Sequence, residues 1–293
     1  MDLTMLVQGL TVGSIYALAA VSINIVYRAT NTFNLAQGGL VMLGAIICST
    51  FLVKLGFPWY AAAAVALVVV ALISWLTDLI AVAPVLRRPG GGGHGWIVST
   101  LAVSMIIDDL VGKLVGPDPV PVRAAPPFST RALFPPEMQF SSYQLALIVF
   151  TLLLVGGTDL FYRTRTGKAI LAISEDREAS LLRAIDPRRL AATSFLLSGV
   201  VAAIAGVLAG PILFASIALG AAMLIKGFMA AALGGIGFNR GAIVGGYVLG
   251  LVEVVTATYL SPGYQHAVSF VVVLMVLLVR PQGLFGRASM RAV

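Results

Sequence analysis

Long apolar stretches separated by short polar gaps dominate the pattern of this chain. Nearly all of them run for roughly 17 to 26 residues, enough for a helix to cross a hydrocarbon core. The alternating pattern of membrane β-strands is absent, and a helix is the remaining way to satisfy the backbone in lipid. The pattern therefore predicts an all-α polytopic membrane protein with eight to nine spans, some short or broken. The candidates are residues 3–26, 36–55, 59–83, 96–115, 143–162, 190–215, 220–236, 242–260 and 267–279.

Composition supports this interpretation. The 293 residues are 59% hydrophobic and 11% charged, whereas soluble domains carry about 25% charged residues. We therefore expect residues 1–293 to form a single transmembrane domain. The first span lacks the basic start and the small-residue cleavage site of a signal peptide, so we expect it to be retained.

The basic residues predict the orientation. With the N-terminus outside, fourteen Lys and Arg residues fall on the inner side and four on the outer side. Cytoplasmic loops carry this excess of positive charge, so the C-terminus is predicted to be cytoplasmic. The net charge of +7 is then explained by the basic residues of the inner loops. These residues are spread over short gaps between spans and form no nucleic-acid-binding face.

The span at 220–236 is the weakest candidate, since it is short, rich in glycine and carries Lys226. It could be a re-entrant hairpin. A hairpin would, however, place Arg280, Arg287 and Arg291 outside, so we favour a full crossing.

Two connections are long. Residues 116–142 are rich in proline, which excludes a helix interior and predicts an outer loop. Residues 163–190, on the inner side, mix basic and acidic side chains with helical spacing at their centre. That segment fits a short amphipathic helix on the membrane surface or a solvated basic loop.

Charged residues inside the spans call for an explanation, because burying them in lipid is costly. Lys226 and Glu253 lie about 9 and 10 Å from the outer ends of successive antiparallel helices at about 1.5 Å per residue. We expect them to pair, in a structural role rather than in substrate contact. Asp159 is expected to pair locally with Arg163, and Asp78 with Arg87 or Arg88.

Asp108 and Asp109 fall near the middle of the fourth span. Neighbouring helix positions diverge by about 100°, so the two carboxylates need different surroundings. Either a wet cavity lies beside this helix or the helix is shifted outward.

Glycines cluster in the second span, beginning at Gly38 just after Asn34 and Gln37. Such clusters are typical of closely packed helices or of broken helices that line a path.

No motif indicates an enzyme, a metal site or a bound cofactor. The glycines at 90–93 lack the Gly-Lys-Ser/Thr of a phosphate loop. His94, His266 and the single Cys48 are isolated from one another in the sequence, and no serine, histidine and carboxylate set suggests catalysis.

Four segments in order carry a family resemblance: GLTVGSIYALAAVSINIVYRATNTFNLAQGGLVMLGA, SEDREASLLRAIDPRRL, KGFMAAALGGIGFNRGAIVGGYVLGLVE and VRPQGLFG. Together they resemble the branched-chain amino acid ABC transporter permeases of the LivH type. The resemblance implies the ABC importer permease fold, a second homologous permease in a hetero- or homodimer, two cytoplasmic ATPases that use the ATP, and a periplasmic binding protein. It also implies a bacterial inner membrane location and transport by alternating access.

The resemblance assigns the 163–190 segment to ATPase docking. The residues that match the family pattern are Glu175, Asp176, Ala179, Ile185 and Asp186. The candidates for the translocation path are Asn34, Gln37, Gly38, Asp108 and Asp109. Gln37 stands where the family more often has histidine, and Asp108 and Asp109 where amides are more usual. Branched-chain specificity is therefore the family default, and an ion-coupled secondary transporter of a small polar solute is the alternative.

Overall fold

The computed structural model describes residues 3–86, 94–116, 118–131, 140–175, 180 and 186–286. Ten helices longer than one turn form in these ranges, with a short 3-10 helix at Pro262–Tyr264, and the all-α prediction is confirmed. They are α1 (Leu3–Thr30), α2 (Gln37–Val53), α3 (Trp59–Leu86), α4 (Gly95–Leu114), α5 (Ser142–Phe161), α6 (Arg165–Glu175), α7 (Pro187–Leu213), α8 (Ile217–Gly234), α9 (Asn239–Tyr259) and α10 (Gln265–Val279).

Helices form at all nine predicted spans. Seven of them are long and apolar enough to cross a membrane. The other two are α2, which has 17 residues, and α4, which has 20 residues and carries Asp108, Asp109 and Lys113. α8 is one continuous helix of 18 residues among the seven, so it has the length of a crossing. Two of the described helices contain an irregularity: α3 has a π-helical turn at Asp78–Val82, and α7 contains Pro211.

α1 lies at the centre of the bundle. It is 89% buried over its most apolar window and packs against α5, α7, α8 and α9. The contact with α9 depends on glycine: a Cβ added to Gly246 would lie 2.6 Å from the carbonyl oxygen of Gly13 and from the backbone nitrogen of Ala17. The two backbones touch directly, as in helix pairs that associate through small residues.

α2 begins inside the protein. The non-helical residues before it are buried at Thr32, Asn34 and Ala36. Its first residue, Gln37, contacts Ser198, which lies 11 residues beyond the start of α7 at Pro187, a distance of about 16 Å along that helix. Irregular backbone at such a depth is tolerated only where protein or a cavity surrounds it.

The described part of the proline-rich connection is non-helical, as predicted, and it packs onto the helices. Val120 forms an antiparallel bridge with Ala215, just after α7. The hydroxyl of Tyr60 on α3 donates to the carbonyl oxygen of Pro126 at 2.9 Å. The loop therefore covers one end of the bundle.

The opposite end holds the turn between α8 and α9 and the segment after α10. Gly235 and Gly237 adopt φ values of 106° and 81° in this turn, a region that glycine enters without steric cost. The backbone nitrogen of Leu284 donates to the carbonyl oxygen of Leu233 at 2.8 Å. The end of α10 thus lies on the same side as the end of α8.

Candidate functional site

Lys226 on α8 and Glu253 on α9 form a buried ion pair. The hydroxyl of Tyr16 on α1 donates to Oε2 of Glu253 at 2.6 Å, and the hydroxyl of Ser269 on α10 donates to Oε1 at 3.1 Å. The ammonium of Lys226 also lies 5.9 Å from the centre of the Tyr16 ring. One carboxylate therefore binds side chains from three other helices.

Asn34 and Gln37 form a polar connection at the start of α2. The side-chain amide nitrogen of Asn34 donates to the side-chain oxygen Oε1 of Gln37 at 3.2 Å. The side-chain amide nitrogen of Gln37 donates to the Ser198 hydroxyl at 2.9 Å. Ser198 in turn donates to the carbonyl oxygen of Ser22 on α1 at 2.9 Å. These side chains are buried, and in this conformation they hold α2 against α1 and α7.

Gly38 and Asp108 both meet α8 at Gly220. A Cβ added to Gly38 would collide with the carbonyl oxygen of Gly220, and a Cβ on Gly220 would lie 3.7 Å from Oδ1 of Asp108. A Cβ on Gly39 would lie 3.7 Å from the hydroxyl oxygen of Ser104 on α4. The structure thus brings two of the predicted path residues to one junction of α2, α4 and α8, which we call the α2–α4–α8 junction.

The two adjacent carboxylates of α4 have different surroundings. Oδ1 of Asp108 is buried and has no hydrogen-bond partner among the described residues. Asp109 points to the surface, where its carboxylate binds Lys113 one turn later at 2.6 Å, with 61% of the Asp109 side chain exposed. The divergence follows from their helical positions. It leaves Asp108 as the carboxylate directed into the bundle.

The inner connection is helical in its first half. α6 buries Gly167, Ile170 and Ile173 and exposes its polar side, so this part is an amphipathic helix. Glu175 is its exposed last residue. The side chain of Asp186 accepts a hydrogen bond from the backbone nitrogen of Arg188 at 2.9 Å and caps α7. The remaining predicted docking residues, Asp176, Ala179 and Ile185, lie outside the described residues.

One expected ion pair is wrong. Asp159 at the end of α5 was expected to pair with Arg163, but its carboxylate binds Arg240 at the start of α9 at 2.6 Å. The two helices end side by side, so a partner distant in sequence is closer than a local one. Arg87 and Arg88, which were expected to pair with Asp78, lie outside the described residues.

Several polar residues of these networks were not singled out from the sequence. Tyr16, Ser22, Ser198 and Ser269 lie within predominantly apolar stretches. The available signal was their position: a hydroxyl in a membrane span needs a partner. The sequence does not indicate which partner, because that depends on how the helices are rotated.

The comparisons with known proteins bear on this arrangement. A family model described as "Branched-chain amino acid transport system / permease component" matches residues 5–277. The chain belongs to this family. Its members are transport permeases, not enzymes, and the helices and relatives together make this permease a multi-pass inner-membrane protein.

The relatives match this permease over nearly their whole lengths. It is 30% identical to the high-affinity branched-chain amino acid transport system permease protein LivH of Salmonella typhimurium, covering 98% of this chain and 96% of LivH. It is 32% identical to BraD of Pseudomonas aeruginosa, covering 99% and 98%. A probable LivH of Methanocaldococcus jannaschii is 28% identical, covering 96% and 92%. No solved structure matches the chain.

Proposed function

We propose that this permease carries branched-chain amino acids, or closely related small amino acids and amides, across the bacterial inner membrane. The observation that carries the proposal is the end-to-end similarity to LivH and BraD, whose names state that substrate class. The alternative, an ion-coupled secondary transporter, has no support from these relatives.

The proposed partners follow from the same relationship. A second homologous permease would complete the membrane unit, two cytoplasmic ATPases would hydrolyse ATP, and a periplasmic binding protein would deliver the substrate. The N-terminus would lie outside and the C-terminus inside. Support for this orientation comes from the distribution of basic residues along the chain.

The α2–α4–α8 junction is our candidate for the substrate path. A zwitterionic amino acid needs positive charge for its carboxylate and negative charge for its ammonium. The N-terminus of α2, which begins in the interior beside Asn34 and Gln37, carries the positive end of the helix dipole. Asp108 supplies a carboxylate near Gly220 at the same junction. Asp109, the other candidate on α4, points to the surface and is paired with Lys113, so we place it outside this path.

The coupling element would be α6. It connects α5 to the segment before α7, and its apolar side is anchored in the bundle by Ile170 and Ile173. A short anchored helix can transmit a push from an ATPase to two spans as a rigid body. Glu175, Asp176, Ala179, Ile185 and Asp186 would form the docking contacts.

The direct test is uptake of radiolabelled leucine into proteoliposomes containing the assembled transporter with ATP inside. We expect uptake to require ATP and all subunits. Uptake by this permease alone, driven by an ion gradient, would establish the alternative.

The assignment of Asp108 is tested with Asp108→Asn. Losing a charged partner for the ammonium should lower leucine uptake at low substrate by roughly tenfold or more, since hydrogen bonds to charged groups contribute about 1.5–3 kcal/mol. The control is Asp118→Asn, the same change in an exposed residue of the outer loop. If both variants take up leucine equally well, Asp108 does not lie on the path. That result would leave the proposed substrate class unchanged.

A further inference from the structure

A basic pocket lies at the end of the bundle where α1 and α5 finish and α9 begins. Its volume is about 270 Å³. The residues that line it include Arg28, Asp159, Tyr162, Arg163, Phe238 and Arg240. The pocket shares no residue with the proposed transport path.

The pocket has an excess of positive charge. Arg240 is paired with Asp159. Arg28 donates to the carbonyl oxygen of Gly237 and stacks over the Tyr162 ring at 4.6 Å. Arg163 is exposed and has no ion-pair partner among the described residues. Three guanidinium groups therefore share one carboxylate, which leaves a net charge of +2.

The pocket also lies at the membrane boundary. Three of its walls are ends of helices long enough to span the bilayer, so it sits at the level of lipid headgroups. α5, which leads into it, is only 22% buried over its apolar window and exposes Leu153 and Leu160. Its surface therefore faces lipid in this chain.

Two exposed glycines of α5 lie just before the residues of this helix that line the pocket. Gly156 and Gly157 are exposed, and a Cβ added to either would meet no atom within 4 Å. These positions lie less than one turn before Asp159. They leave a gap between the exposed side chains of Leu153 and Leu160, close to the end of α5 that lines the pocket.

From this combination we propose that the pocket binds the phosphate of an anionic phospholipid. Arg28 and Arg163 would face the phosphate, and an acyl chain would lie over Gly156 and Gly157. Arginine is suited to phosphate because its planar guanidinium offers several donors. Basic pockets between membrane helices are a general mode of binding for anionic headgroups. The inference rests on membrane embedding and is independent of the transported substrate.

An acidic residue of a partner subunit is the competing occupant. The lipid is favoured because Asp159, which lines the pocket, is next to the exposed apolar residue Leu160 of α5. The two described docking residues, Glu175 and Asp186, do not line the pocket, although Leu171, one turn before Glu175 on α6, does.

The experiment measures lipid retained by the full-length permease, purified together with the subunits that accompany it. The protein is exposed to vesicles of phosphatidylglycerol in an excess of phosphatidylcholine, and retained lipid is quantified by mass spectrometry. Arg163→Gln should lower the retained phosphatidylglycerol about fivefold, the effect of one basic residue near an anionic surface. Arg163→Lys, which keeps the charge, should retain more than Arg163→Gln.

The matched control is Arg165→Gln, an exposed arginine two residues away that does not line the pocket. Equal retention by Arg163→Gln and Arg165→Gln would overturn the proposal. A second arm adds inorganic phosphate. Displacement of phosphatidylglycerol only at phosphate concentrations far above that of the lipid supports a lipid site, whereas displacement at comparable concentrations would identify a free-phosphate site. Loss of ATPase co-purification with unchanged lipid retention would assign the pocket to a partner subunit.

Discussion

The hydroxyl of Tyr16 donates a 2.6 Å hydrogen bond to the carboxylate of Glu253, 237 residues later in the chain. The bond joins the central helix α1 to α9 at the point where Glu253 is also paired with Lys226 of α8. Ser269 of α10 completes the group. Four helices thus meet at one buried carboxylate, and its removal should affect the whole bundle.

Glu253→Gln should destabilise the protein strongly. The change leaves the ammonium of Lys226 buried without a counter-charge, and breaking a buried pair in this way costs about 3–5 kcal/mol. The measurement is thermal unfolding in detergent. Asp109→Asn is the control, because it removes an exposed pair with Lys113 that contributes about 1 kcal/mol or less. Unchanged stability with altered substrate selectivity would instead place the Lys226–Glu253 pair in substrate contact.

Tyr16→Phe tests the hydrogen bond alone. The ring is kept, so packing is preserved, and the loss should be about 1.5–3 kcal/mol for a bond to a charged group. Tyr264→Phe is the matched control, since Tyr264 is 60% exposed. If both variants unfold at the same temperature, the Tyr16 hydroxyl contributes nothing to the group around Glu253.

Gly246→Ala should weaken the packing of α9 against α1. The added methyl group would lie 2.6 Å from backbone atoms of Gly13 and Ala17, and overpacking of this kind costs about 1–3 kcal/mol. Gly156→Ala is the control in α5, where nothing lies within 4 Å and the higher helix propensity of alanine should be neutral or favourable. Equal melting temperatures for the two variants would show that the contact between α1 and α9 accommodates the added methyl group without loss of stability.

Charge reversal at Glu175 and Asp176 should uncouple the ATPase. The double variant Glu175→Lys, Asp176→Lys places positive charge where the proposed partner contact needs negative charge, so ATP-driven uptake and ATPase co-purification should fall together. Membrane insertion should persist, because Glu175 is exposed. Arg165→Gln, at the other end of α6, is the control. Undiminished ATP-driven uptake by the double variant would refute the docking role.

Hydropathy along the chain was enough to predict the helical class and the positions of the spans. All nine predicted spans became helices, because hydropathy over about 20 residues is a local property that decides which segments enter lipid. Lys226 and Glu253 could also be matched in advance, since depth along a helix follows from residue count. The family resemblance likewise needed only the order of motifs.

The other contacts between side chains of different helices could not be predicted in this way. Asp159 binds Arg240, not Arg163; Asp108 turns inward while Asp109 turns to the surface; and α2 begins in the interior beside Ser198. These contacts depend on the rotation and close approach of helices that are distant in the chain. In lipid, such packing is set by small residues and polar contacts at the helix interfaces, whereas the apolar periodicity that locates a span does not encode its rotation.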